Sequence, residues 1–160
     1  FVADFKGKPV GYLIGCKNTA TKEKIFARFI LPRILISFIK RGLIFKKKPL
    51  RFLFHAIKSL LKGEFRKPKV PKDYPADLHI NIADNFRRLG LGTKLMDVFF
   101  EYLRKNHIPG IHLATFSEQG RNFFLKIGFT LLGERKTSQW RYLIDRDIKT
   151  SVFGKLLKED

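Results

Sequence analysis

The chain is short of several things, and each shortage narrows what it can be. One cysteine, Cys16, stands among 160 residues. No disulfide can therefore close within the chain, and a reducing, cytoplasmic compartment fits. Acidic residues are scarce: 14 Asp and Glu face 33 Lys and Arg, a formal net charge of +19. That excess predicts attraction to something anionic: a phosphate-bearing small molecule, an acidic substrate, a phospholipid surface or nucleic acid. No stretch supplies the roughly 20 mostly apolar residues of a membrane span, because Arg28 and Arg33 break the most apolar run. The opening residues alternate and carry Lys6 and Lys8, unlike a secretory leader. One Cys and scattered His give no metal-ligand spacing, so zinc is not expected. Internal repeats and low-complexity tracts are absent.

What is present suits one domain with a real core, given 44% hydrophobic and 14% aromatic residues. The charge is uneven. Residues 17–73 hold 17 Lys and Arg against 3 Asp and Glu, so the basic character belongs mostly to one segment. Ahead of it, Phe1–Phe5 and Pro9–Gly15 read as a hairpin around Lys6-Gly7-Lys8. Beyond it, 77–83 alternates as a strand, with Leu78, Ile80 and Ile82 on one side and Asp77, His79 and Asn81 on the other. Residues 93–105 read as a helix with Leu95, Met96, Phe99 and Leu103 at core spacing. A strand over 110–115 follows, then a helix over 118–127 with Ser117 as N-cap. A final antiparallel pair is expected from 129–134 and 139–144, and a short terminal helix from Ser151 to Leu157.

The basic segment, 17–75, predicts a helix from Thr21 to about Gly42, interrupted at Pro32. A second, two-faced helix follows, with Leu50, Leu53, Phe54, Ile57, Leu60 and Leu61 opposite Arg51, His55, Lys58 and Lys62. Lys67 to Pro71 is an extended connector. Two readings stand side by side. One is a helical hairpin packed on the sheet, or on a second copy in a homodimer, with a solvated basic face. The other is an interfacial surface for an anionic membrane or an acidic substrate. Nucleic acid has no recognised motif in its favour.

The most informative stretch is Asp84-Asn-Phe-Arg-Arg-Leu-Gly-Leu-Gly-Thr93, between a strand and a helix. A turn with two glycines lets backbone N–H groups approach a ligand, and the helix start points its positive dipole end at the same place. Arg87 and Arg88 add charge for a diphosphate. No Gly-Lys-Ser/Thr closes it as a P-loop, and the glycines do not fall as GxGxxG. Arg87-x-x-Gly90-x-Gly92 instead resembles the Arg/Gln-x-x-Gly-x-Gly/Ala motif of the GNAT acetyltransferases. Phe123-Phe-Leu-Lys-Ile-Gly-Phe129 resembles that family's Phe-Tyr-x-Lys-x-Gly-Phe. The likeness covers 1–16 loosely and 77–146 well.

The resemblance implies an α/β (α+β) GNAT fold: a mixed central sheet with helices on both faces, 17–75 as a basic helical insertion, and 77–146 as the acyl-CoA-binding core of a single domain over 1–160. A family member has a further strand and helices ahead of the hairpin, which this sequence does not contain. The resemblance also implies acetyl-CoA as co-substrate, with no metal, and direct attack by an amine in a ternary complex. Arg87 and the backbone of Arg88, Leu89, Gly90, Leu91, Gly92 and Thr93 would hold the diphosphate. Pantetheine would pair near Ile80 and Ile82 where two strands splay apart, with Ser117 and Phe124 at motif positions nearby. Two departures matter: the family's acidic Tyr is Phe124, which has no proton to give, and its Asn is Ser117. Asp77 and His79, with His112 beside them, are candidates for the base, and Tyr142 for the acid. The alternative class is a CoA-binding or membrane-docking module without catalysis.

Overall fold

The computed structural model describes residues 1–64, 70–138 and 144–157. Strands β1 (Val2–Phe5) and β2 (Lys8–Cys16) form the opening hairpin. Lys6 and Gly7 turn it with φ of 52° and 78°, the paired left-handed residues that a two-residue hairpin loop needs. β2 pairs antiparallel with β3 (Ala76–Ile82), and β3 parallel with β4 (Gly110–Thr115). β6 (Ile148–Leu156) pairs antiparallel with β4 and with β5 (Thr130–Thr137). The result is a mixed six-stranded sheet of order β1-β2-β3-β4-β6-β5, as the α/β reading expects.

Helix α4 (Leu91–Lys105) links β3 to β4, and α5 (Glu118–Lys126) links β4 to β5. Both pack on one face. Leu13, Ile111, Leu113 and Phe153 of the strands meet Met96, Phe99 and Leu103 of α4 and Phe124 of α5. α4 sits so close to β2 that a Cβ on Gly15 would lie 2.2 Å from the Phe99 ring. The Ser117 hydroxyl accepts from the Gly120 N–H at 3.0 Å, capping α5 as its residue type predicts. Beyond α5, Glu134 on β5 binds Arg121, Lys149 at 2.6 Å and the Ser151 hydroxyl at 2.9 Å.

The C-terminal expectation is corrected. Residues 151–157 are not a helix; they lie within and just after β6, which occupies the slot between β4 and β5. Ser-Val-Phe-Gly-Lys-Leu-Leu carries apolar residues at both helical and alternating spacings. Two open strand edges, of β4 and β5, decide for the strand. β5 pairs with Ile148–Leu156; of the second strand expected over 139–144, residues 139–143 lie outside those described.

The insertion starts at α1 (Thr19–Ile25), capped by Asn18, whose side chain accepts from the Thr21 N–H at 3.1 Å. It continues through a π turn (Phe26–Ile30) into α2 (Leu31–Lys40). The Leu31 N–H reaches back to the Phe26 carbonyl. The wider turn makes room for Pro32, which has no N–H and crowds the preceding turn. So the proline is absorbed as a bulge rather than ending the helix. A 3-10 turn (Leu43–Phe45) leads into α3 (Lys47–Leu61). Of the expected connector, residues 67–69 lie outside those described.

The insertion lies on the opposite face of the sheet from α4. Lys22 of α1 ion-pairs Asp77, and the Thr19 N–H donates to the Pro75 carbonyl at 2.8 Å. After α3, the Gly63 carbonyl accepts from Arg135, and Glu64 accepts from the Ser138 N–H at 3.0 Å and hydroxyl at 2.7 Å. The expected packing of the α3 apolar side on the sheet does not occur. The buried residue of α3 is Ser59, whereas Phe54 and Leu61 are 63% and 83% exposed. The Gly63–Glu64 anchor on the β5 end of the sheet sets this rotation, turning Ser59 inward, where its hydroxyl also bonds Glu64.

Candidate functional site

β3 and β4 stay paired for two residues only, Ala76 with Ile111 and Asp77 with His112. Beyond them β3 continues to Ile82 without a β4 partner. Which backbone groups face the resulting gap follows from the other edge. The Ala83 N–H donates to the Val10 carbonyl at 2.9 Å, so Tyr12/Asn81 and Ile14/His79 are hydrogen-bonded pairs and Leu13/Ile80 and Gly11/Ile82 are not. The N–H and C=O groups of Leu78, Ile80 and Ile82 therefore point toward β4. The Ile82 carbonyl accepts from Arg87 Nε at 3.0 Å. The Asp77–His112 bridge uses the Leu78 N–H, so an extended chain laid in the gap would meet the free C=O of Leu78, both backbone groups of Ile80, and the N–H of Ile82.

The gap leads to the turn before α4. Asp84–Phe86 forms a 3-10 turn, Arg88 takes φ 64°, and Gly90 takes φ 78° as the N-cap of α4. No side chain caps this helix. Among the described residues, no protein acceptor takes the N–H groups of Gly90 through Thr93. These amides, at the positive end of a 15-residue helix, form an anion cradle. Arg87 braces the cradle. Its guanidinium binds Asp84 at 2.8 Å and reaches Gln119 at 3.4 Å, besides the Ile82 carbonyl. Leu89 and Arg88 are exposed, and Gly92 lies against Phe123, whose ring would be 3.2 Å from an added Cβ.

The polar side of β3 carries the candidate bases. Asp77 and His112 stand opposite each other at the foot of the gap. Asp77 is held by Lys22. Burial works against the Lys22 charge, but the bond to Asp77 and its field outweigh it, so the ammonium pKa is raised. His112 Nδ1 lies 2.7 Å from the Tyr74 carbonyl. A carbonyl only accepts, so Nδ1 carries a proton, which in the neutral ring leaves Nε2 as the acceptor. His79 is exposed beside the Tyr12 ring, centroids 5.9 Å apart. Tyr142 lies outside the described residues. Phe124 is 5% exposed, among Phe123, Phe129 and Phe153, so it packs the core rather than lining the gap. The Ser117 oxygen is engaged as the α5 cap.

The structure thus brings together the β3 edge, the cradle and the Asp77–His112 pair. Sequence reasoning missed Lys22, Tyr74 and Gln119. Lys22 is 55 positions from Asp77 and Tyr74 is 38 from His112, so no local pattern could have linked them. Among the described residues no group of three His, Cys, Asp or Glu could hold a metal ion.

Residues 59–129, a little under half of the chain, match the family model described as the acetyltransferase (GNAT) family. Among solved structures, the chain is similar to SsHAT, with TM-score 0.58 and 17% identity over 96% of this chain and 69% of that one. It is also similar to a GNAT-family acetyltransferase from Streptococcus pneumoniae, with TM-score 0.54 and 16% identity over 98% of this chain and 65% of that one. A third is the polyamine N acetyltransferase of Drosophila melanogaster, with TM-score 0.57 and 13% identity over 98% of this chain and 73% of that one. The chain therefore spans about two thirds of the length of these proteins. No curated protein matches it by sequence.

Proposed function

We propose that this chain, which carries a GNAT acetyltransferase domain match over residues 59–129 and the GNAT fold, moves an acetyl group from acetyl-CoA to a primary amine. The observation that carries the reading is the early parting of β3 and β4. It leaves the Leu78 carbonyl and the backbone groups of Ile80 open directly beside a cradle of unpartnered amides at the start of α4. A diphosphate on that cradle would leave the amide-bearing pantetheine arm to pair with β3 as an added strand does. The segment 77–146 is in this reading the acyl-CoA-binding core.

The amine attacks the thioester carbonyl directly in a ternary complex. The ammonium gives up one proton to become the attacking amine, the C–N bond forms and the C–S bond breaks, and the nitrogen gives up a second proton as the amide forms. Of the candidate bases, His112 is favoured, because the Tyr74 carbonyl fixes its ring through Nδ1 and leaves Nε2 as the nitrogen that can take a proton when the ring is neutral. Asp77 is neutralised by Lys22 and orders the foot of the gap; His79 stands further along the same polar side. With Phe124 in the core, the departing thiolate takes its proton from water, or from Tyr142.

A second reading, a CoA-binding module with weak or no catalysis, is supported by Phe124 at the position of the family's acid. Calorimetric titration with CoA, followed by a thiol-release assay with acetyl-CoA and a panel of primary amines, separates them. Binding with turnover is expected. Binding without turnover on any amine would favour the module, and no affinity for CoA would overturn both.

A further inference from the structure

The insertion exposes far more apolar surface than a solvated helical pair needs. α1, the π turn and α2 bury no residue at all. Phe45, Leu60 and Leu61 are 86%, 62% and 83% exposed. Isolated exposed apolar residues mean little, but a continuous set on an amphipathic arm marks a docking surface. Its chemistry limits the occupant. The segment 17–73 carries a net +14, and cations and apolar groups share the same outer surface. The Arg28 guanidinium lies 5.6 Å from the Phe29 ring centre, both residues exposed. Between α2 and the 3-10 turn is a groove of about 440 Å³ with walls of Ile30, Ile34, Phe38 and Leu43 and two guanidiniums, Arg33 and Arg41.

A second copy on this surface would set one arm over 19–61, with 11 Lys and Arg against one Glu, against another, a repulsive arrangement. Nucleic acid would leave the apolar side chains in water. An anionic bilayer satisfies both sets at once: phosphate headgroups for the arginines and lysines, the headgroup–acyl boundary for the apolar residues. Among the described residues no helix is long and apolar enough to cross a membrane, which fits an arm lying in the interface. We propose that the helical arm Thr19–Leu61 docks the protein on an anionic phospholipid surface, with Arg33 and Arg41 receiving lipid phosphates at the mouth of the groove. This goes beyond the acetyl-transfer reading and does not depend on it.

The test is co-sedimentation of the full chain with vesicles of phosphatidylcholine alone or with 30 mol% phosphatidylglycerol, alongside sedimentation equilibrium without lipid. Binding at least tenfold tighter to the anionic vesicles is expected, weakening steeply between about 0.1 and 0.5 M salt. The double variant Phe54→Asp/Leu61→Asp should lose vesicle binding at all salt concentrations. Arg33→Gln/Arg41→Gln should lose the preference for anionic lipid. Both change exposed side chains, and both should keep wild-type CoA affinity and melting temperature. Equal binding to neutral and anionic vesicles, or none to either, would overturn the proposal. So would a stable dimer that Phe54→Asp/Leu61→Asp dissociates, which would assign the face to a second copy.

Discussion

Gly90 offers the cleanest perturbation of the candidate cradle. It takes φ 78° and ψ −3°, and a Cβ there would meet nothing within 4 Å. Gly90→Ala therefore introduces no clash; it asks an L-residue to hold the left-handed region, at about 1–2 kcal/mol. That energy is a factor of roughly 5–30 in an equilibrium constant. Where it appears depends on what the turn does. If the turn stays left-handed, the loss is in stability, a fall in melting temperature of a few degrees. If it relaxes, the amides of Leu91 to Thr93 lose their aim and the loss is in CoA affinity. Gly90→Pro removes the choice, because proline is held near φ −65° and has no N–H. The turn must open, while Leu95, Met96 and Phe99 still anchor α4 in the core. Calorimetric titration should show at least a tenfold weaker Kd for CoA in Gly90→Pro, with circular dichroism showing the fold kept. A folded Gly90→Pro protein that binds CoA as the wild type does would refute the cradle.

Other consequences are as direct. His112→Asn should lower kcat on a responsive amine by about 10²–10⁴-fold with little change in CoA affinity, read from steady-state kinetics; an unchanged kcat would remove His112 as the base. Phe99→Ala should cost about 3–5 kcal/mol in urea unfolding, because Phe99 is 2% exposed and stacks under the Gly15 stretch of β2; a loss below about 1 kcal/mol would contradict that packing. Glu134 is pulled from its ordinary 4.5 down to about 2, first by Lys149, then by the Ser151 hydroxyl and Arg121. A carboxyl whose folded pKa is depressed stabilises above its unfolded value and loses that contribution as pH falls through the folded one. The stability difference between wild type and Glu134→Gln should be full above about pH 5 and fade toward pH 2; a pH-independent difference would disprove the coupling.

What the sequence determined by itself is local. The hairpin at Lys6-Gly7, the α4 core spacing, the Ser117 side-chain chemistry, and the glycines at 90 and 92 all act within a few residues of themselves. Each can be read because the physical cause lies in the same window. The Arg87-x-x-Gly90-x-Gly92 resemblance extended this to a fold, and the mixed sheet followed it. The tertiary structure decided the rest wherever competing local options were nearly equal. Residues 151–157 could have been helix or strand, and the open edges of β4 and β5 chose the strand. The periodicity of α3 gave it two sides but could not say which would face the body. The Gly63 and Glu64 bonds at the β5 end turned Ser59 in. Arg87, a plausible diphosphate ligand by position, became the brace of its own turn once Asp84, Ile82 and Gln119 surrounded it. Asp77 acquired Lys22, and His112 acquired the Tyr74 carbonyl, across tens of residues. Contacts at that separation depend on how the chain returns to the sheet, and short-range propensity carries no term for it.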